Sequence, residues 1–466
     1  MPSPESAFAA DALARERVVV TTAKAVPGHA AFRVLARHPF VQIAIAGQAR
    51  RLVVGGLVGR FREAGTSLAI VLAVRGVTGS YAVAGAAAAA YLIAAAVSRP
   101  VHGRLIDRAG AGRGLIATSL ANSLALTGLA AAAWRHGGEA VLLAAAAAIG
   151  LTLPALSAAL RALWPQVIGE FSDDAYAFDT LLYELSLIIS PAIVGLIATL
   201  ISAPLALVIL ACAGTAGTTI VATTPAARAS HTAAPGAGHE HRLLSRLVVA
   251  VIIVALLVGF AEGSMTVIVP AFASNDHQPA AAGPLLSALS AGSLIGALSY
   301  GMLARRTAWP VRLIICASAL VLASAALGIL GRGIILFGVL LAVVGIALAP
   351  TLTTGFVAIQ QVAPPVALAE AFTWMSFCAS VGAGAAQALA GNLIANLGVT
   401  AAIWLPAAAA AIAVAAAILT RRLSYPPCGC RELSAPTGTA GTSSVRIGVL
   451  MAWAGPAGSL SAGRLA

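Results

Sequence analysis

The chain has 466 residues, of which 60% are hydrophobic and 9% charged, and a net charge of +12. A soluble domain averages about 45–50% apolar and about 25% charged residues, so the composition excludes a water-soluble globule and makes lipid the solvent for most of this chain. It also excludes a soluble basic domain of the kind that engages nucleic acid, and no such partner is expected.

Residues 1–51 are polar and mixed, and read as an N-terminal cytoplasmic segment with a short amphipathic piece at 39–48 on the membrane surface. No apolar run follows a basic start before residue 40, so the first spanning helix, rather than a cleaved leader, is expected to direct insertion. Twelve apolar runs follow, at 52–75, 81–99, 114–134, 140–162, 180–201, 205–222, 247–270, 283–303, 311–330, 334–357, 370–396 and 400–420. At about 20 residues per crossing, runs of this length span a bilayer. Their uniform apolarity fits helices and not alternating barrel strands, because lipid offers no partner to open backbone groups. The predicted fold class is an all-α polytopic membrane protein with 12 transmembrane helices. Midway, "TTPAARASHTAAPGAGHEHR" breaks the pattern, which makes 223–246 a cytoplasmic linker between an N-terminal half, 52–222, and a C-terminal half, 247–420. Residues 421–466, rich in Pro, Gly, Ser and Thr, read as a disordered cytoplasmic tail.

Charge sets the orientation. With both termini in the cytoplasm, 23 of the 28 Lys and Arg residues fall on the inner side; Arg75, Arg135 and Arg332 fall outside, and Arg60 and Arg62 lie within the first span. Such a bias governs insertion, and the expected location is the plasma membrane, crossed many times.

The first run contains "LVGRFREAGT", residues 57–66, which puts Arg60, Arg62 and Glu63 in the middle of an apolar helix. A charge at the bilayer centre costs about 2.5–3.5 kcal/mol on insertion scales, so such groups persist where they pair or border a wet cavity. On a helix, Arg60 and Glu63 share a face with Thr66, Ser67, Gly56 and Gly59. Glu184, beside Tyr183 in the fifth run, and Glu262 in the seventh are further embedded acids. In the functional reading, Glu63, Glu184 or Glu262 accepts a coupling proton, while Arg60 and Arg62 balance that charge or hold an anionic substrate. The plainer reading is a static salt bridge, such as Arg60 with Glu63, that takes no part in transport.

The loop after the second run reads "GRLIDRAGAGR", 103–113. Gly103 permits close helix approach, and Asp107 can pair with a nearby Arg or cap the next helix, latching one conformation. In the plainer reading, Arg104, Arg108 and Arg113 are membrane-surface anchors. The two halves also resemble each other. "LVG" at 57–59 recurs at 257–259, matching Arg62 with Glu262 and Thr66 with Thr266; "GRLIDR" at 103–108 faces "GMLARR" at 301–306; Pro154 matches Pro350, and "AYAF" at 175–178 matches "AEAF" at 369–372. Four matches in one order, at offsets of 194 to 200, argue for a duplication into two parallel six-helix repeats.

The 103–113 segment resembles the G-x-L-x-D-R-x-G-R-R signature of the major facilitator superfamily, with Gly103, Leu105, Asp107, Arg108, Gly110 and Arg113 in or near the expected places. "AGAG" displaces one basic residue, and the second copy, with Arg305 and Arg306, has lost the acidic position. The resemblance covers about residues 52–420. It implies alternating access by rocking halves, a gating role for the two motif copies, and a central cavity lined by the first and seventh helices. Drug and proton antiporters of that family carry G-P-x-x-G-G in the fifth helix, which "SPAIVG" at 190–195 matches in part, whereas their fourth-helix R-x-x-x-x-G is absent and Arg161 reads as an anchor. The expected function is proton-coupled export of a small drug or metabolite. An uptake permease is the alternative within transport, and a non-transporting membrane sensor or scaffold the alternative outside it. The lipid bilayer, a small-molecule substrate and protons are the expected partners.

No enzymatic constellation, cofactor or metal site is expected. Cys212, Cys316 and Cys378 sit in apolar runs, Cys428 and Cys430 fall short of four ligands, "HEH" at 239–241 sits in the linker, and there is no Walker loop. Pro154, Pro191, Pro350 and Pro406 are expected to kink their helices.

Overall fold

The computed structural model describes residues 47–168, 172–229, 245–304, 307–363 and 368–424, and every regular element among them is helical. The amphipathic piece at 39–48, most of the linker and the tail fall largely or wholly outside these residues. In chain order the helices are α1 (Gly47–Thr78), α2 (Tyr81–Ala109), α3 (Ala111–Trp134), α4 (Glu139–Leu151), α5 (Leu156–Ile168), α6 (Ser172–Ile197), α7 (Ala203–Ala222), α8 (Pro225–Ala229), α9 (Arg246–Asn275), α10 (Ala282–Ala304), α11 (Trp309–Leu330), α12 (Ile334–Val362), α13 (Leu368–Leu397), α14 (Val399–Ala402) and α15 (Leu405–Ser424).

Ten stretches of the described residues are long and apolar enough to cross a membrane. One of them, Phe178–Ala222, has 45 residues and so about 67 Å of helix, enough for two crossings. The chain turns there at a π-helical turn, Ala198–Ser202, and Ser202 caps α7 by accepting a hydrogen bond from the Leu205 N–H. The charged α1, 32 residues long, lies outside the ten and supplies the remaining crossing. The fold is thus twelve spans, with α4 and α5 together forming the fourth.

The duplication reappears as packing. In the first six spans α1 lies against α6 and α7, α2 against α4, and α3 against α4 and α7; in the last six α9 lies against α13 and α15, α10 against α12, and α11 against α12 and α15. Two long contacts join the halves, α2 with α13 and α6 with α10. The spatial register differs from the sequence match, however. Gly59 abuts α7 at Gly217 and Thr218, whereas Gly259 abuts α13 at Ala379. Gly263 faces Ala383 of α13, and Gly65 faces Ser190 and Val194 of α6. Arg62 and Glu262, paired by the 200-residue offset, therefore point in different directions.

The prolines behave differently from one another. Pro154 breaks the fourth span, and neighbouring spans repair the exposed backbone: Asn122 donates to the Ile149 carbonyl at 2.7 Å, Ser98 to Gly150 at 3.1 Å and His102 Nδ1 to Leu153 at 2.8 Å. Pro191 and Pro350 lie inside continuous helices, as does Pro270, and Pro406 opens α15 where its missing N–H costs nothing.

We call the face that carries the α1–α2 turn the far face. There the halves meet almost backbone to backbone: a Cβ on Gly85 would lie 2.3 Å from the Gln387 carbonyl, one on Gly391 2.3 Å from the Tyr81 carbonyl, and one on Gly283 2.3 Å from the Pro191 carbonyl. Small residues are what allow such approach in lipid. Hydrogen bonds reinforce it. Tyr81 donates to the Pro270 carbonyl at 3.2 Å, and Ser287 donates to the Ile188 carbonyl, in the turn that precedes the N–H-less Pro191.

Candidate functional site

The three charges of α1 diverge. Arg60, 1% exposed, reaches toward α6, where Nη2 donates to Asp179 Oδ2 at 2.8 Å and Nη1 to the Asp179 carbonyl at 3.2 Å. The other carboxylate oxygen of Asp179 accepts from Trp164 Nε1 at 2.9 Å. The expected Arg60–Glu63 bridge is replaced by this one, and Ser157 stands between the two α1 residues, accepting from Arg60 Nε at 3.4 Å and donating to Glu63 Oε2 at 3.1 Å. Asp179 was missed because it precedes the apolar run that begins at 180; α6 starts at Ser172, so Asp179 is carried into the bundle. The "DDAYAFD" run was the available signal.

Arg62, 2% exposed, turns the other way, between α3 and α7. Its Nη1 donates to Ser119 Oγ at 3.0 Å and its Nη2 to Thr218 Oγ1 at 3.2 Å, with Gly214 leaving room for the guanidinium. A buried cation held by hydroxyls rather than a carboxylate depends on each acceptor. Thr218→Val is expected to lower stability by about 1–3 kcal/mol and Thr218→Ser to leave it nearly unchanged, read by thermal unfolding in detergent. Equal melting of the two variants would contradict this role.

The remaining groups gather around Tyr183. The hydroxyl of Tyr183 is within electrostatic reach of Glu63, Glu184, Glu262 and Arg99, four side chains from α1, α6, α9 and α2, and Arg60 lies 5.6 Å from the centre of its ring. Glu262 sits midway along the 30-residue α9 and is exposed. Among the described residues neither Glu184 nor Glu262 has an ion-pair partner, and Glu184 Oε2 is buried with no donor. Arg99 donates to Ser380 of α13 at 3.0 Å, and Gln387 of α13 donates to Ser67 of α1 at 2.9 Å, one turn along from Glu63. Of the five predicted cavity residues, Glu63, Glu184 and Glu262 lie around Tyr183, Arg60 reaches Glu63 through Ser157, and Arg62 is hydrogen-bonded to α3 and α7. Ser67 lies on the face of α1 that helical spacing assigns to Glu63, whereas Arg99 and Gln387 are additions that no local sequence pattern signals.

The family model of the Major Facilitator Superfamily matches residues 52–365. The chain belongs to the major facilitator superfamily. Solved structures share the fold: the nucleoside transporter NupG, in a mutant form, is 14% identical with a TM-score of 0.66, covering 80% of this chain and 100% of its own. A bacterial homologue of the iron transporter ferroportin, in an inward-facing state, is 15% identical with a TM-score of 0.65, covering 82% and 99%. The POT family transporter PepTSo is 11% identical with a TM-score of 0.64, covering 81% and 98%. No curated protein matches the chain.

In this superfamily member the motif at 103–113 spans the α2–α3 junction. Gly110, the single residue between the helices, has φ 80°, a conformation that favours glycine, and Arg113 is exposed in the first turn of α3. The side chains of Gly103, Asp107 and Arg108, and all of Arg305 and Arg306, lie outside the described residues. "SPAIVG" is an interface segment: Ser190 donates to the Phe61 carbonyl of α1 at 2.7 Å, while Gly195 abuts Gly283 of α10.

Proposed function

We propose that this protein is a secondary active transporter that exports a small, partly apolar molecule in exchange for protons. The observation that carries the reading is the placement of Glu184 and Glu262 on opposite halves, at mid-helix and without ion-pair partners among the described residues. Carboxylates in that position are costly in a static membrane protein. They serve a carrier by loading a proton in one conformation and releasing it in the other. The similar folds belong to proteins described as transporters of nucleosides, peptides or iron, so the substrate follows from the cleft rather than the fold. In this reading the halves 52–222 and 247–420 rock about the cleft, the 223–246 linker tethers them, and the motif residues at 103–113, with Arg305 and Arg306, latch the cytoplasmic side. The charge bias supports an external far face and cytoplasmic termini, and the plasma membrane is the proposed location.

The test is proton flux in inside-out vesicles acidified inside. Addition of a substrate is expected to collapse the pH gradient with wild-type protein, and not with Glu63→Gln, Glu184→Gln or Glu262→Gln inserted at equal levels. Wild-type flux in all three variants would remove the carboxylates from coupling, and flux that no compound elicits would remove proton-coupled export.

A further inference from the structure

A second opening lies at the far face, well away from the embedded carboxylates. A cavity of about 490 Å³ is enclosed by the end of α1, the end of α3 and the turn that joins α6 to α7, a size within the range of small-molecule sites, roughly 300–1,000 Å³. Leu72, Gly76 and Val77 line it from α1, and a Cβ on Gly76 would meet nothing within 4 Å, so the space beside that backbone is open.

The lining is apolar apart from three side chains. Thr199, in the π-helical turn, donates its hydroxyl to the Gly195 carbonyl at 2.8 Å. Trp134 is the last residue of α3 and 54% exposed; an indole at a helix end marks the level at which acyl chains give way to headgroups. His136 follows at φ 50°, a backbone conformation uncommon outside glycine, in a turn closed by the Gly137 N–H on the Ala132 carbonyl at 2.8 Å. Beside Thr199, Leu200 and Ile201 are 71% and 67% exposed, the apolar surface that a spanning protein turns to lipid.

The occupant follows from this chemistry. Water finds few partners in an apolar cavity, and an empty one forfeits the dispersion contacts of its walls. At this depth the apolar molecule at hand is an acyl chain, and Trp134 and His136 stand where its polar end would lie. One lining residue comes from the other half: Pro279, in the 3-10 turn Pro279–Ala281 that follows α9. A molecule seated there touches both halves while the far face is closed and loses part of its site when they separate. A ligand that binds one state better favours that state.

We propose that this cavity is a lipid site, in which one acyl chain of a phospholipid from the far leaflet lies against α1 with its headgroup toward His136, and that its occupancy holds the far face closed. The hold on closure rests on reading the two halves as a rocking carrier; the occupancy does not.

The purified full chain is reconstituted in phosphatidylcholine vesicles that include a phosphatidylcholine bearing a diazirine near the end of one chain, and after irradiation the adducts are mapped by mass spectrometry. Adducts are expected on Leu72 and Val77, which are half-buried against the core. Leu322 of α11, 71% exposed and outside the cavity, reports ordinary contact with the bilayer. Gly76→Phe, which fills the cavity, is expected to lower the adducts on Leu72 and Val77 at least tenfold and to leave Leu322 unchanged. Gly85→Leu, whose side chain forces α2 away from α13, is expected to lower them at least threefold; monodisperse elution confirms that each variant is folded. Absence of adducts on Leu72 and Val77, or undiminished adducts there in Gly76→Phe, overturns the lipid site. Undiminished adducts in Gly85→Leu overturn its hold on closure. Gly76 lies about 20 Å of helix beyond Glu63, so proton exchange can fail with the adducts intact, and the adducts can be absent with exchange intact.

Discussion

Asp179→Ala is expected to lower folding stability by about 3–5 kcal/mol, the usual result of stranding one partner of a buried ion pair. The substitution leaves the Arg60 guanidinium, 1% exposed, with only the Asp179 carbonyl and the Ser157 hydroxyl, and it takes the acceptor from Trp164 Nε1. Three spans lose their shared anchor together. Asp179→Asn keeps an acceptor for Trp164 and is expected to lose less. The paired variant Arg60→Met with Asp179→Leu is expected to recover most of the loss, because replacing a buried pair with apolar groups of similar size is often neutral. Thermal unfolding in detergent, with retention of monomeric protein after heating, reads all three. Wild-type melting of Asp179→Ala would show that Asp179 is not the counter-ion that Arg60 requires.

The second large effect concerns closure. Gly85→Leu is expected to part the halves on the far face, because its Cβ would fall 2.3 Å from the backbone carbonyl of Gln387. Backbone cannot step aside as a side chain does, so relief requires α2 and α13 to separate. Ser67, which joins α1 to Gln387, is the reporter: Ser67→Cys is placed in a background without the five native cysteines and labelled from the far face with an impermeant maleimide. Gly85→Leu is expected to raise the labelling rate at least tenfold and to reduce transport. Gly76→Leu serves as the control, since a Cβ there meets nothing within 4 Å. Equal labelling in both variants would place the closure elsewhere.

Much of the membrane architecture was legible in advance because its cause is local. Apolar run length and the Lys and Arg bias depend on residue type alone, and the expected runs at 81–99, 205–222 and 311–330 each lie within a helix, α2, α7 and α11. Boundaries were less legible where tertiary partners extend a helix into polar sequence, as at Ser172–Asp179. Pro154 and Pro350 show the same limit within the repeat. Matched in sequence, one breaks its span and the other does not, and the break is the one whose carbonyls find Ser98, His102 and Asn122 on adjacent helices.

The candidate site divides along the same line. The sequence alone established that this chain lives in lipid and that its embedded charges need partners, since both follow from the cost of exposing polar groups or burying charge in a bilayer. Its ordered internal matches signalled the duplicated six-helix plan. Which charge meets which is a property of the packed helices. Arg60 and Arg62 are two residues apart, about 200° around the helix, so one meets Asp179 of α6 and the other the hydroxyls of α3 and α7. Glu184 and Glu262, 78 positions apart in the chain, come within electrostatic reach of Tyr183 only because helices of both halves are packed together.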